Sequence, residues 1–139
     1  MKKICVIDGQ GGGIGSLVIR KLHEACGTQI EIIALGTNAI ATTQMLKARA
    51  NRGASGENAI RVTVQQVDII IGPLSIILAN SMMGEVSPKI AEAVSSCKAT
   101  KYLLPLFQEN AVIIGMPTIP LPHLVEEIVK KISLLVNEK

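Results

Sequence analysis

The feature that most constrains the fold is a glycine-rich turn near the start of the chain, Asp8-Gly9-Gln10-Gly11-Gly12-Gly13-Ile14-Gly15-Ser16. An apolar run, Ile4 to Ile7, enters the turn, and a helix-like run, Leu17 to Leu22, leaves it. Five of the chain's 12 glycines fall here. Only glycine lets a backbone bend this sharply and approach another group this closely. A strand, a glycine turn and a helix N-terminus together make an anion site, because the first helical N–H groups lack partners and the helix dipole favours negative charge there. The other reading of the same glycines is tight packing of the strand against its helix.

The rest of the chain reads as a scaffold for this turn. Lys3–Ile7 is a strand and Ile14–Ala25 a helix, with Gly27 as its C-terminal stop. Ile30–Leu35 is a second strand, continuous in apolar residues as expected of a strand covered on both faces. Gly36-Thr37-Asn38 is its turn, with Thr37 or Asn38 capping a helix from about Ala39 to Ala48. Asn51–Asn58 reads as a long loop, and Ile60–Val64 alternates like a short strand. Asp68 opens the buried strand Ile69–Ile71, ended by Gly72-Pro73. Ser87-Pro88 starts a helix that reaches about Ser96.

Tyr102–Leu106 reads as a further strand, only five residues (Phe107–Ala111) before the apolar run Val112–Ile114. A parallel crossover needs about a dozen residues. Neighbouring strands at this spacing are therefore expected to form an antiparallel hairpin. A last amphipathic helix runs from Leu121 to about Val136, with Leu124, Ile128, Ile132 and Leu135 on one face. Alternating strands and helices predict a single Rossmann-like α/β domain over residues 1–139: a three-layer sandwich around a mostly parallel sheet of five to six strands.

In such sheets ligands bind beyond the carboxyl ends of the strands. The turns Gly9–Ser16, Gly36–Asn38 and Gly72-Pro73 all fall at that edge. The candidate binding residues are Asp8, Gly9, Gln10, Gly11, Gly12, Gly13, Ile14 and Gly15 of the first turn, and Gly36, Thr37 and Asn38 of the second. Gly72 and Pro73 of the third turn, Arg52 and Asn80 complete the set. Arg52 could clamp a phosphate. Asn80, Ser81 and Glu85 interrupt an apolar segment, so they either tie it to the core or face a ligand. Asp8 reads as a nucleophile or metal ligand, or as a carboxylate bonding its own turn.

Composition narrows the partners. Apolar residues make up 48% of the chain, yet there is one Phe, one Tyr and no Trp, so aromatic stacking platforms for nucleic acid are missing. The net charge of +3 is mild and scattered. No run reaches the roughly 18 apolar residues of a membrane span. The odd number of widely spaced cysteines (Cys5, Cys26 and Cys97) fits neither a disulfide framework nor a zinc site. No metal site is expected, His23 and His123 having no companion ligands. A cytoplasmic protein is expected. The mean hydropathy of +0.42 is high for a small chain and suggests a homo-oligomer, a dimer in the simplest case.

Gly9, Gly13 and Gly15 match the G-x-x-x-G-x-G spacing of short-chain dehydrogenases. The resemblance ends after about 35 residues. The chain has Gly36-Thr37-Asn38 where a ribose-binding acid is expected, and Tyr102 has Leu106 in place of a lysine four residues on. The G-x-G-x-G spacing of S-adenosylmethionine-dependent methyltransferases is also present, but there the acid precedes the first glycine by two, whereas Asp8 is adjacent to Gly9, and the acid after the second strand is again missing. The blocks V-I-D-G-Q-G-G-G-I-G, I-I-A-L-G-T-N-A-I-A-T, A-N-R-G-A-S-G-E-N-A-I, D-I-I-I-G-P and N-S-M-M-G-E-V-S-P-K resemble a group of short bacterial proteins, domain of unknown function 3842. That resemblance spans nearly the whole chain, implies a small stand-alone cytoplasmic protein, and carries no activity.

The function expected is binding of a nucleotide, NAD(P) among the candidates, or of another phosphorylated small molecule at the first turn. The alternatives are an atypical enzyme built from Asp8, Arg52, Glu57 and Asn80, and a structural or regulatory homo-oligomeric partner.

Overall fold

The computed structural model describes residues 1–106 and 111–137. Its strands are β1 (Lys2–Asp8), β2 (Ile30–Gly36), β3 (Arg52–Ser55), β4 (Ile69–Pro73) and β5 (Thr100–Leu104). Its helices are α1 (Gly13–Cys26), α2 (Ala39–Lys47), α3 (Glu57–Thr63), α4 (Pro88–Ser96) and α5 (Leu121–Asn137). The five strands form one sheet in the order β3-β2-β1-β4-β5, and every pairing is parallel.

Strand order grows outward from β1 in one direction to β3, then restarts on the other side with β4. Right-handed crossovers demand that the helices change face at that reversal, and they do. α1, α2 and α5 cover one face around Val6, Ile19, Leu22, Ile32 and Ile71. α3 and α4 cover the other around Cys5, Ile7, Ile33, Ile60 and Ile70. β1, buried from Ile4 onward, is central and apolar on both faces.

Local chemistry sets the ends of these elements. Gly27, at φ 55, stops α1 and donates its N–H to the His23 carbonyl. Asn38 caps α2 by accepting from the Ala41 N–H at 2.8 Å. Ser87 caps α4 by accepting from the Ile90 N–H, with Pro88 in the first turn.

Three sequence expectations are corrected. Arg52–Ser55, read within a loop, is the edge strand β3. All four of its residues are exposed, so nothing in their composition had to be apolar. Gly53 is small because a side chain there would meet Thr42 Cγ2 at 3.0 Å and the Ala34 carbonyl at 3.1 Å. Ile60–Val64, read as a strand, belongs to α3 and the turn after it. Ile60 and Val64 are buried four residues apart, while Val62 between them is 51% exposed, which is a helical pattern.

The third correction is the antiparallel hairpin. The strand read as Tyr102–Leu106 is β5, parallel to β4. Val112–Ile114 is not in a strand, and no antiparallel pairing occurs among the described residues. Residues 107–110 of the proposed connection lie outside the described residues. β propensity expresses fit to a packed, pleated surface, and Val112 and Ile114 are 83% and 89% exposed, off the sheet altogether.

Candidate functional site at the carboxyl edge of the sheet

β1 ends at Asp8, in register with Gly36 at the end of β2. β4 lies on the other side of β1, so the turn after β1 sits where the strand order reverses. Such a point is the usual ligand crevice of an open α/β sheet.

The turn is held from within by Asp8, which is only 3% exposed. Its Oδ1 accepts from the Gly9 N–H at 2.8 Å, and its Oδ2 from the Gly15 N–H at 2.7 Å. Burial pushes the Asp8 carboxyl up, against the opposing N–H groups of Gly15, Gly9 and Ile14, and the charge of Glu85 adds to the rise. The Gly12 N–H closes the turn on the Gly9 carbonyl at 2.9 Å. Gln10, at φ 50, and Gly12, at φ 72, take the left-handed conformation that the bend requires.

The glycines divide into two groups. A side chain at Gly9 would meet Met82 Sδ and Thr37 Oγ1, each at 2.5 Å. At Gly12 it would meet the Ala41 carbonyl at 2.8 Å, and at Gly15 Met45 Sδ at 2.5 Å. These three glycines serve packing. Gly11 and Gly13 are exposed and have no atom within 4 Å of a Cβ position. Their N–H groups donate to none of the described residues.

The second turn is stitched to the first through Glu85. Its Oε1 accepts from the Gln10 N–H at 2.9 Å, from Thr37 Oγ1 at 2.6 Å and from Asn38 Nδ2 at 2.9 Å. Partial burial opposes charge on Glu85, but the bonds from Thr37, Gln10 and Asn38 outweigh it and hold the carboxyl below its ordinary range. Glu85 arrives on the segment after β4. That segment makes a short helical turn at Leu74–Ile77 and is then tightly folded. Ser81 Oγ donates to the Ser75 carbonyl, and the Asn80 N–H donates to the Val86 carbonyl at 2.7 Å. Asn80, Met82, Met83 and Gly84 all have positive φ. This concentration of left-handed backbone is the kind of strain that surrounding contacts must over-determine.

A family model described as domain of unknown function (DUF3842) matches residues 3–137. The chain belongs to the DUF3842 family. No functionally curated protein matches this DUF3842 chain. Among solved structures it is similar to a dodecameric FMN-dependent UbiX-like decarboxylase from Escherichia coli O157:H7. The two are 14% identical with a TM-score of 0.46, over 100% of this chain and 95% of that one.

In this DUF3842 protein the structure brings together Asp8, Gly9, Gln10, Gly11, Gly12, Gly13, Ile14 and Gly15 with Thr37 and Asn38. Gly36 lies directly beneath, its N–H donating to Thr42 Oγ1 at 3.1 Å, with that hydroxyl where a side chain would fall. Gly72 and Pro73 end β4, and Gly72 is small because the Ile7 carbonyl lies 2.6 Å from its Cβ position. Arg52 is not brought to the turn. Its guanidinium pairs with Glu31 at 2.8 Å on the exposed edge of the sheet. Asn80 is exposed and helps fold its own segment through its backbone. Glu57 accepts from Ser87 Oγ, joining α3 to α4. Glu85, read from the sequence as either a tie or a ligand-facing group, is the tie. Among the described residues no three His, Cys, Asp or Glu side chains group as metal ligands, and no helix is long and apolar enough to cross a membrane.

Proposed function

We propose that this DUF3842 protein binds a small phosphorylated molecule, a nucleotide foremost, on the outer face of the turn after β1. The observation that carries this reading is the space at Gly11 and Gly13. Neither glycine is required by packing or by a positive φ, and both present free N–H groups at the start of α1. Asp8 and Glu85 already occupy the N–H groups of Gly9, Gln10 and Gly15 from the inner side. A ligand therefore has the Gly11 and Gly13 donors and the helix dipole, a set suited to one phosphate group.

An enzyme built on Asp8, Arg52, Glu57 and Asn80 has less support. Asp8 is spent on its turn, Arg52 on Glu31 and Glu57 on Ser87. The free thiols of Cys5, Cys26 and Cys97 support a reducing, cytoplasmic setting. The exposed run Val112, Ile113, Ile114 and Met116 supports a homo-oligomer.

Thermal shift and calorimetry with mononucleotides, dinucleotides, coenzyme A and S-adenosylmethionine test the binding reading. A true ligand at about 100 times its dissociation constant stabilises by roughly 2.7 kcal/mol. A flat response across the panel overturns it. Gly13→Val sharpens the test. The free protein is expected to keep its stability, because the new side chain enters open space, while affinity falls at least tenfold, about 1.4 kcal/mol. Lost stability with unaltered affinity would assign the glycines to packing instead.

A further inference from the structure

The opposite end of α1 carries a second concentration of chemistry that the glycine turn does not use. Arg20, His23 and Glu24 stand three and four residues apart, on one face of α1. They meet the end of α2, where Lys47, Ala48 and Arg49 complete the lining of a cleft of about 370 Å³. We infer that this cleft is a second anion site, fitted to a small polyphosphate.

Charge is the first support. Arg20, Lys47 and Arg49 are basic side chains, and none of them makes an ion pair or side-chain hydrogen bond among the described residues. The one acid in the lining, Glu24, is drawn to Lys21 at 3.6 Å. Three uncompensated cations around one small cleft stand out in a chain whose whole net charge is +3. Basic residues at the end of α2 also answer the helix dipole. That accounts for Lys47 and Arg49, but not for Arg20, which comes from another helix and precedes its last turn.

Backbone conformation is the second support. Arg49 has φ 85, with its N–H on the Leu46 carbonyl at 3.0 Å. Glycine or asparagine ordinarily fills such a helix-ending position, because a longer L side chain is strained there. The chain keeps an arginine at this point, in the lining of the cleft. Among the described residues His23 supplies the one ring in the lining, and the three cations beside it recognise by charge and by guanidinium forks on phosphate oxygens.

The site is independent of the glycine turn, and inorganic tripolyphosphate probes it. Calorimetry should show saturable binding that weakens as salt rises. The double variant Arg20→Gln, Arg49→Gly should lose at least tenfold in affinity. Arg49→Gly alone should not lower the urea midpoint, because glycine suits φ 85. Tripolyphosphate should shift the backbone amide signals of residues 47–49 in the wild type and equally in Gly13→Val, whether or not those of residues 11–13 also move. Non-saturable binding, equal affinity in the double variant, or signals that move at residues 11–13 instead would each overturn the inference.

Discussion

Asp8 and Glu85 are two carboxylates on one turn whose titrations pull stability in opposite directions. Asp8 is pushed above its ordinary value of 3.8, chiefly by burial. A raised carboxyl favours the fold when protonated, so its contribution is full below that value and is lost as pH rises through the folded pKa. Glu85 is held below its ordinary 4.5, its hydrogen bonds outweighing desolvation. Its contribution is present above that value and is lost as pH falls through the folded pKa.

Urea melts at a series of pH values separate the two. Against Asp8→Asn, the wild type should gain stability as pH falls from neutral into the acid range; a relative loss there would contradict the raised direction. Glu85→Ala should lower stability near neutrality by about 1–2 kcal/mol, since Thr37, Asn38 and the Gln10 N–H lose a charged acceptor. That deficit should shrink in acid. That Asp8 and the first-turn glycines meet Thr37 and Asn38 was legible because the two turns end adjacent strands. The position of Glu85 was not, because its bond to Thr37 spans 48 residues and depends on a loop crossing from β4 to the end of β2.

Among the elements, those legible in the sequence carried their own signals. The Thr37-Asn38 and Ser87-Pro88 pairs announced helix starts. Ile30–Leu35 and Ile69–Ile71 announced buried strands by unbroken apolar character. The elements that the structure corrects have only weak local signals. β3 is exposed along its length, so its Arg-Gly-Ala-Ser composition resembles a loop. α3 is short and buries little beyond Ile60, leaving a pattern that fits period two as well as four. Ser87→Ala tests one legible element. It removes both the cap on the Ile90 N–H and the bond to Glu57, and about 1 kcal/mol should be lost. Thermal melts would show this as a lowered Tm, and an unchanged Tm would mean that Pro88 and packing alone start α4.

At the scale of the whole molecule, the exposed apolar run on the segment before α5 leads to a prediction about assembly. If Val112, Ile114 and Met116 are covered by a second copy, Ile114→Lys should shift the protein to a monomer in light scattering. A wild type that is already monomeric would remove the motive. The sheet order has a further consequence, for synthesis on the ribosome. β1 emerges before the strands it pairs with, yet it is the central strand and stays unpaired on one side until residues 69–73 have been made. α1 packs against α5, which is made about a hundred residues later. With no hairpin in the described sheet, every strand pair waits for a crossover to be completed. A nascent chain of this protein must therefore carry a bare apolar face on α1 until α5 has been made, and that stage is where dependence on chaperones is expected to concentrate.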